Sequence, residues 1–430
     1  MSGQPPALIE AAPPPATTAH GARPTWFPRA YNRTVRALGP LGSGLGDLDW
    51  QNLRSVVERR VGRPFVPGGD WDFAEAAFQN ALSLYRDTVE LTPFGRLILR
   101  QTVLRNLTSA LRLAVARERF PAIFERRFAP PIIIVGLHRS GTTYLHRLLA
   151  RHPQLRAPRT WELYDPVPHL PRSRWRDGAR RRGVQVQLGF GRLAVPDLDT
   201  VHHIRVDSFE ESAFLLEPSG MLFSSIFAFG AHAHADWLMT QDASPAYHRM
   251  HDLLALMAPP EAAGDQRRWL LKCPMTTWHL PAMLRVFPDA SVIHLRRPLH
   301  ASLASVCSFA AVLQRGSRPH VDFHRLGADM TEMYLRGHAR AARARRAHPR
   351  AHWTDVQYAH LVARPQETVD RLLPWLGLTE RLEVPEATDR VAKARGAGDH
   401  IYRAAEFGID RAVLDARLAE VDQRIAQEPA

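Results

Sequence analysis

The chain has 430 residues, enough to bury a sizeable core in one large or two small domains. Its 45% hydrophobic and 23% charged residues match a globular protein, and no uninterrupted apolar run is long enough to span a bilayer. A net charge of +13 admits nucleic acid, anionic lipid or a small anionic ligand as partner.

Residues 1 to about 45 are rich in Pro, Ala and Gly and predict a disordered arm, with Trp26 and Phe27 able to dock on the body. The first residues lack a basic start followed by an apolar core, so they do not read as a secretory signal, and the chain is expected in the cytoplasm. Residues 46–128 predict a helical N-terminal extension. Phe73, Ala77, Leu82 and Tyr85 fit one helical face, and Thr92-Pro93 offers an N-cap with proline at the first helical position.

An α/β domain is expected over 129–430. Strands are predicted at Ile132 to Val135, Trp269 to Leu271, Ser291 to Leu295 and His352 to Val356. Helices are predicted at 142–151, about 277–287, after Pro298, at about 322–347 and from Pro365 to about Leu376. Strands alternating with helices argue a parallel sheet covered on both faces. The stretch from about 158 to 265, with many Pro and His, reads as an irregular insertion carrying acceptor contacts, and 384–427 reads as a helical, polar tail. Cys273 and Cys307 sit in apolar segments and read as buried, inert thiols.

The chemistry concentrates after the first strand. Gly136-Leu137-His138-Arg139-Ser140-Gly141-Thr142-Thr143 is a glycine loop between a strand and a helix N-terminus. Such a loop aims backbone N–H groups and the helix dipole at an anion. It has the spacing of a P-loop but lacks the lysine that reaches the β- and γ-phosphates, so it suits a shorter anion. Basic charge is nearly all arginine: the only lysines are Lys272 and Lys393.

The run from Pro131 to Leu149 resembles the 5′-phosphosulfate loop of sulfotransferases that use PAPS (3′-phosphoadenosine 5′-phosphosulfate). That donor has one 5′-phosphate bearing a sulfuryl, which leaves a γ-phosphate lysine without a target. The resemblance implies a P-loop NTPase-like parallel sheet flanked by helices, of the bacterial branch with a helical N-terminal extension. It implies donor contacts from Gly136, His138, Arg139, Ser140, Gly141, Thr142 and Thr143. A second match, for the 3′-phosphate, runs from Val292 to Ser305. Arg297 and Ser305 have the family spacing, whereas anchoring on Pro298 selects Arg296 and puts Ala304 at the serine position. Trp269-Leu-Leu-Lys272-Cys-Pro is similar to the segment whose lysine is catalytic in tyrosylprotein sulfotransferases, where an ammonium stabilises charge as the sulfuryl leaves. Tyr358 matches a tyrosine near the donor adenine, and the stretch from Lys393 to Tyr402 resembles a loop covering the nucleotide.

The resemblance implies a catalytic set of Arg139, Lys272 and a base. Glu162 stands nearly where the tyrosylprotein branch has its glutamate; His202, His203, Glu210 and Glu211 are the rival bases. Retained turnover and donor binding in Glu162→Gln would remove Glu162 as base. Neither His202-His203 nor His232-Ala-His234 comes with a third ligand at recognisable spacing, so no metal is expected. A kinase would need Gly-Lys-Ser/Thr and a magnesium-binding Asp after a strand, and neither is found. A catalytically degenerate nucleotide-binding protein stays open because of the irregularity at Pro298. Arg336, Arg340, Arg343, Arg345, Arg346 and Arg350 alternate with alanines and lack a base-stacking motif, which reads as a solvated basic helix rather than a nucleic-acid surface. The acceptor expected is a small molecule, lipid or saccharide; its identity and the oligomeric state are not legible.

Overall fold

The computed structural model describes residues 26–39, 42, 44–195, 204–258, 267–385 and 404–428. Its centre is a parallel sheet of β1 (Ile132–Gly136), β2 (Leu155–Arg156), β3 (Arg268–Lys272), β4 (Ser291–Arg296) and β5 (Trp353–Gln357), in the order β2-β3-β1-β4-β5. The four strands predicted from β-branched and apolar runs are present. The two-residue edge strand β2 is too short to leave a pattern in sequence.

Side chains alternate across β1, as the two-residue strand period requires. Ile132 and Ile134 join Leu145, Leu149, Leu270, Ile293 and Leu372 on one face; Ile133 and Val135 join Trp278, Leu303, Met330 and Tyr334 on the other. Both faces of β1 are therefore buried, which is why its sequence is a continuous apolar run. The chain leaves β1 toward β3 on one side, whereas β4 and β5 extend the sheet on the other. The carboxyl ends of β1 and β4 thus lie at the point where strand order reverses, the usual place for a ligand crevice in an open α/β sheet.

Before the sheet, helices Trp50–Val61, Asp70–Asp87 and Pro93–Arg119 share a core of Leu53, Val57, Phe78, Tyr85, Leu99 and Leu107. Thr92 caps the third helix by accepting from Gly95 N at 3.0 Å, with Pro93 at its start. Its N-terminus packs on the chain end of helix Leu299–Ser317: Thr92 N donates to Ser317 O at 2.9 Å. Residues 26–37, inside the stretch expected as an arm, form a helix. Phe27 and Tyr31 set their ring edges against Phe94, supplying the contacts that low apolar content does not advertise.

The stretch 158–265 departs from its expected irregularity. It carries helices Thr160–Tyr164, Arg174–Ala194, Phe223–Phe229, His232–Thr240 and Ser244–Met257. In helix Ser244–Met257 the reason is burial on all sides: Tyr247, Arg249, Met250, Asp252 and every residue from Leu253 to Met257 are buried, so no polar face marks a helical period. The long helix Phe323–Ala347 spends its arginines internally: Arg336 on Asp236, Arg345 on Asp355, Arg343 on Glu428, and Arg340 on the Trp278 carbonyl. Cys273 and Cys307 are free and buried, and burial pushes their thiols up to about 11 and about 12.

Candidate active site

The loop after β1 is built around two glycines. Gly136 has φ 138°, and a Cβ there would lie 2.6 Å from the Leu295 carbonyl oxygen on β4. Gly141 has φ 90°, and its Cβ would lie 2.8 Å from the Tyr358 ring. Between them Arg139 also takes a positive φ, 64°, which turns its carbonyl and side chain toward β4. Ser140 is buried, and its hydroxyl donates to the Leu137 carbonyl at 2.6 Å, closing the turn. Helix Thr142–Leu149 begins at once, and its first-turn amides have no acceptor within the helix. Gly141→Ala is expected to displace Tyr358 and strain the loop, lowering stability by about 1–3 kcal/mol. Thermal unfolding measures this, and an unchanged melting midpoint contradicts it.

Four residues from three separate motifs meet beside this loop. Arg139 Nε donates to Ser305 Oγ at 3.1 Å, and Arg297 Nη1 donates to the Arg139 carbonyl. The Arg297 guanidinium lies 4.3 Å from the centre of the Tyr358 ring. Arg296 is instead the exposed last residue of β4, in register with Gln357, and Ala304 is buried. Arg297 and Ser305, the pair with the family spacing, thus both meet Arg139.

Lys272 ends β3, and its side chain is wholly buried. Its Nζ lies 2.7 Å from Glu211 Oε1, and its carbonyl accepts from Ser212 Oγ at 3.2 Å. Burial raises the Glu211 pKa, but the charges of Lys272 and His138 outweigh it and hold the carboxylate below its usual range. His138 Nδ1 shares a 2.6 Å hydrogen bond with the Tyr334 hydroxyl, and its ring packs 4.8 Å from Phe227. Glu210, also buried, accepts from Glu211 N at 3.1 Å. Tyr334 escaped sequence reasoning: it sits on the arginine-rich helix among core positions such as Met330 and Met333, with no local signal of a polar task.

Glu162 lies elsewhere in the hydrogen-bond pattern. It is the third residue of helix Thr160–Tyr164; Oε2 accepts from Arg159 N at 2.9 Å and Oε1 pairs with Arg156 at 3.4 Å. Arg156 itself covers the Trp269 ring at 4.5 Å. A cavity of about 590 Å³ is lined by Gln185, Arg192 and the run Arg205, Val206, Asp207 and Ser208, which ends three residues before Glu211 in sequence.

The model of the sulfotransferase family matches residues 130–381, over half of the chain and including the loop, Lys272, Arg297, Ser305 and Tyr358. The chain is a sulfotransferase. The structure is similar to sulfotransferase STF1 from Mycobacterium tuberculosis H37Rv, with 28% identity and a TM-score of 0.73, over 86% of this chain and 98% of that one. It shares its fold with sulfotransferase STF9 from Mycobacterium avium at 20% identity and a TM-score of 0.73, over 88% and 97% of the two chains. No curated protein matches. In this sulfotransferase His232 faces Asp329 at 3.4 Å, and His234 bonds Asn80 and the Gly220 carbonyl. No group of three or more His, Cys, Asp or Glu among the described residues could hold a metal. Lys393, His202 and His203 fall outside the described residues.

Proposed function

We propose that this sulfotransferase takes its sulfuryl group from PAPS and passes it to a hydroxyl of a small-molecule, lipid or saccharide acceptor. The observation that carries this reading is the meeting of Arg139, Ser305, Arg297 and Tyr358 beside a glycine loop that lacks a P-loop lysine. The residues present suit such a donor. Gly136 and Gly141, both at positive φ, let the loop pack against Leu295 and Tyr358, a backbone shape whose amides could face a single 5′-phosphate. Arg297 and Ser305 would hold the 3′-phosphate with charge-assisted and hydroxyl hydrogen bonds, and Tyr358 would lie against the adenine.

The donor supplies an activated sulfuryl and leaves as adenosine 3′,5′-bisphosphate. Catalysis then rests on positioning and charge, as in phosphoryl transfer. Lys272 is the ammonium for the bridging oxygen, and Arg139 takes the loop side. Glu211 rather than Glu162 is the base in this reading. Its carboxylate is ionised and lies against Lys272, whereas Glu162 spends both oxygens on Arg159 and Arg156. As the acceptor oxygen bonds to sulfur, its proton passes to Glu211 and the bridging S–O bond breaks, its electron pair staying on the 5′-phosphate. His138, tied to Tyr334, adds to the charge that holds the Glu211 carboxylate low.

A thermal-shift titration with adenosine 3′,5′-bisphosphate tests the donor assignment. At 100 times Kd a ligand that binds only the folded state adds about 2.7 kcal/mol, enough to raise Tm by several degrees. Arg297→Ala is expected to weaken binding by about 10- to 100-fold, the worth of a charge-assisted contact, whereas Arg296→Ala changes it less than about threefold. No shift of the unmodified chain at saturation refutes PAPS as donor. Equal losses in the two variants would undo the choice of Arg297.

A further inference from the structure

Helix Arg174–Ala194 carries a feature that sulfuryl transfer does not use. At about 100° per residue, Trp175, Val186, Phe190 and Leu193 fall within about 60° of one another on a single face. Trp175 is 75% exposed, and the other three are at least half exposed. Among the described residues eleven large apolar side chains are exposed, and four of them share this helix. Val184 and Arg180, the helix's buried residues, point about 120–160° away, toward the protein. The stripe therefore looks outward.

Its borders are basic. Arg176 and Arg182 are exposed at the edges of the stripe, and Asp177, the helix's one acidic residue, is already paired with Arg172 and Arg180. The helix is also intrinsically weak. Its interior holds Gly178, Gly183, Gly189 and Gly191, and a Cβ at the last three would meet nothing within 4 Å. Each such glycine disfavours the helix, so a surface that buries the stripe would stabilise it appreciably. Helix Trp26–Ala37 packs beside it, holds Arg29, Arg33 and Arg36 without an acidic residue, and opens on the 72% exposed Trp26.

We propose that these two helices form a face that lies on an anionic lipid surface. A Trp- and Phe-bearing stripe flanked by arginine, on a chain of net charge +13, has the composition of an interfacial helix. Among the described residues no single helix is long and apolar enough to cross a membrane, so the face would rest on the bilayer rather than span it. Charge complementarity selects lipid over a second copy, because a symmetric contact would set Arg176 and Arg182 of two copies against each other. The inner side of the helix walls the cavity through Gln185 and Arg192, so attachment would hold that cavity next to the headgroups.

The test is co-sedimentation of the full chain with vesicles of phosphatidylcholine alone or mixed equally with phosphatidylglycerol, at about 0.1 M salt. The expected result is at least about tenfold greater partition into the anionic vesicles. Val186→Asp with Phe190→Asp is expected to lower it about tenfold at an unchanged melting midpoint. Arg176→Gln and Arg182→Gln together are expected to lower the preference for anionic lipid at least about threefold. Failure of the unmodified chain to sediment overturns the proposal, as does undiminished binding of the Asp variant or of the Gln variant. So does gel filtration showing a dimer that the Asp variant dissociates, which would make the face a contact between copies.

Discussion

Lys272→Met is expected to lower turnover by about 10³-fold, the scale of losing a charge aimed at a developing oxyanion. Glu211→Gln is expected to cost about 10²–10⁴-fold with nucleotide binding retained, while Glu162→Gln stays within about threefold. Product-nucleotide release with any acceptor that supports turnover measures all three. Lys272→Met also leaves the Glu211 carboxylate without its 2.7 Å cation, and breaking such a pair costs about 3–5 kcal/mol of stability. The double variant Lys272→Met, Glu211→Gln leaves no charge stranded. It is expected to regain most of that stability while remaining inactive, which separates folding from chemistry. Full turnover in Glu211→Gln would remove it as base and return the role to a rival carboxylate or histidine.

Acid should unfold the chain early, and histidine burial is the cause. Desolvation is the largest influence on His146, His234, His279 and His294, and pushes them to about 3, about 4, about 3 and about 3. The unfolded chain takes up these protons near pH 6.5, whereas the folded chain resists until far lower. Stability is therefore full above pH 6.5 and falls as pH drops toward 3, by roughly 1 kcal/mol per histidine per pH unit. Glu211 works in a lower window. Its depressed pKa stabilises the fold above the ordinary carboxylate range, and that contribution is lost only as pH falls through its folded value. Urea midpoints at pH 7.5, 6 and 5 should fall steeply; a flat series contradicts the prediction. His279 has neither ring nitrogen hydrogen-bonded and lies beside Phe223, so His279→Phe should remove about a quarter of the slope.

The glycine loop was legible because its shape is local. Eight consecutive residues set its backbone geometry, and Gly136 and Gly141 are required by contacts that any side chain would violate. Two neighbouring arginines were not separable in sequence: Pro298 pulls an alignment toward Arg296, whereas in the fold Arg297 is the one that reaches the Arg139 carbonyl and Tyr358. Helix Ser244–Met257 was hidden because burial on every side removes the amphipathic signal.

From the sequence alone came the strand–loop–helix unit, a glycine loop without a P-loop lysine and the alternation that makes a parallel sheet. These follow from residues close in the chain, where propensity and spacing act directly. Only the tertiary structure decided which carboxylate meets Lys272. Glu162 is nearer the loop in sequence, yet the return through β3, between β1 and β2, brings Glu211 against the ammonium and leaves Glu162 with Arg156 and Arg159. A buried cation takes the carboxylate that the crossover delivers, and crossovers join segments whose separation in sequence carries no local mark.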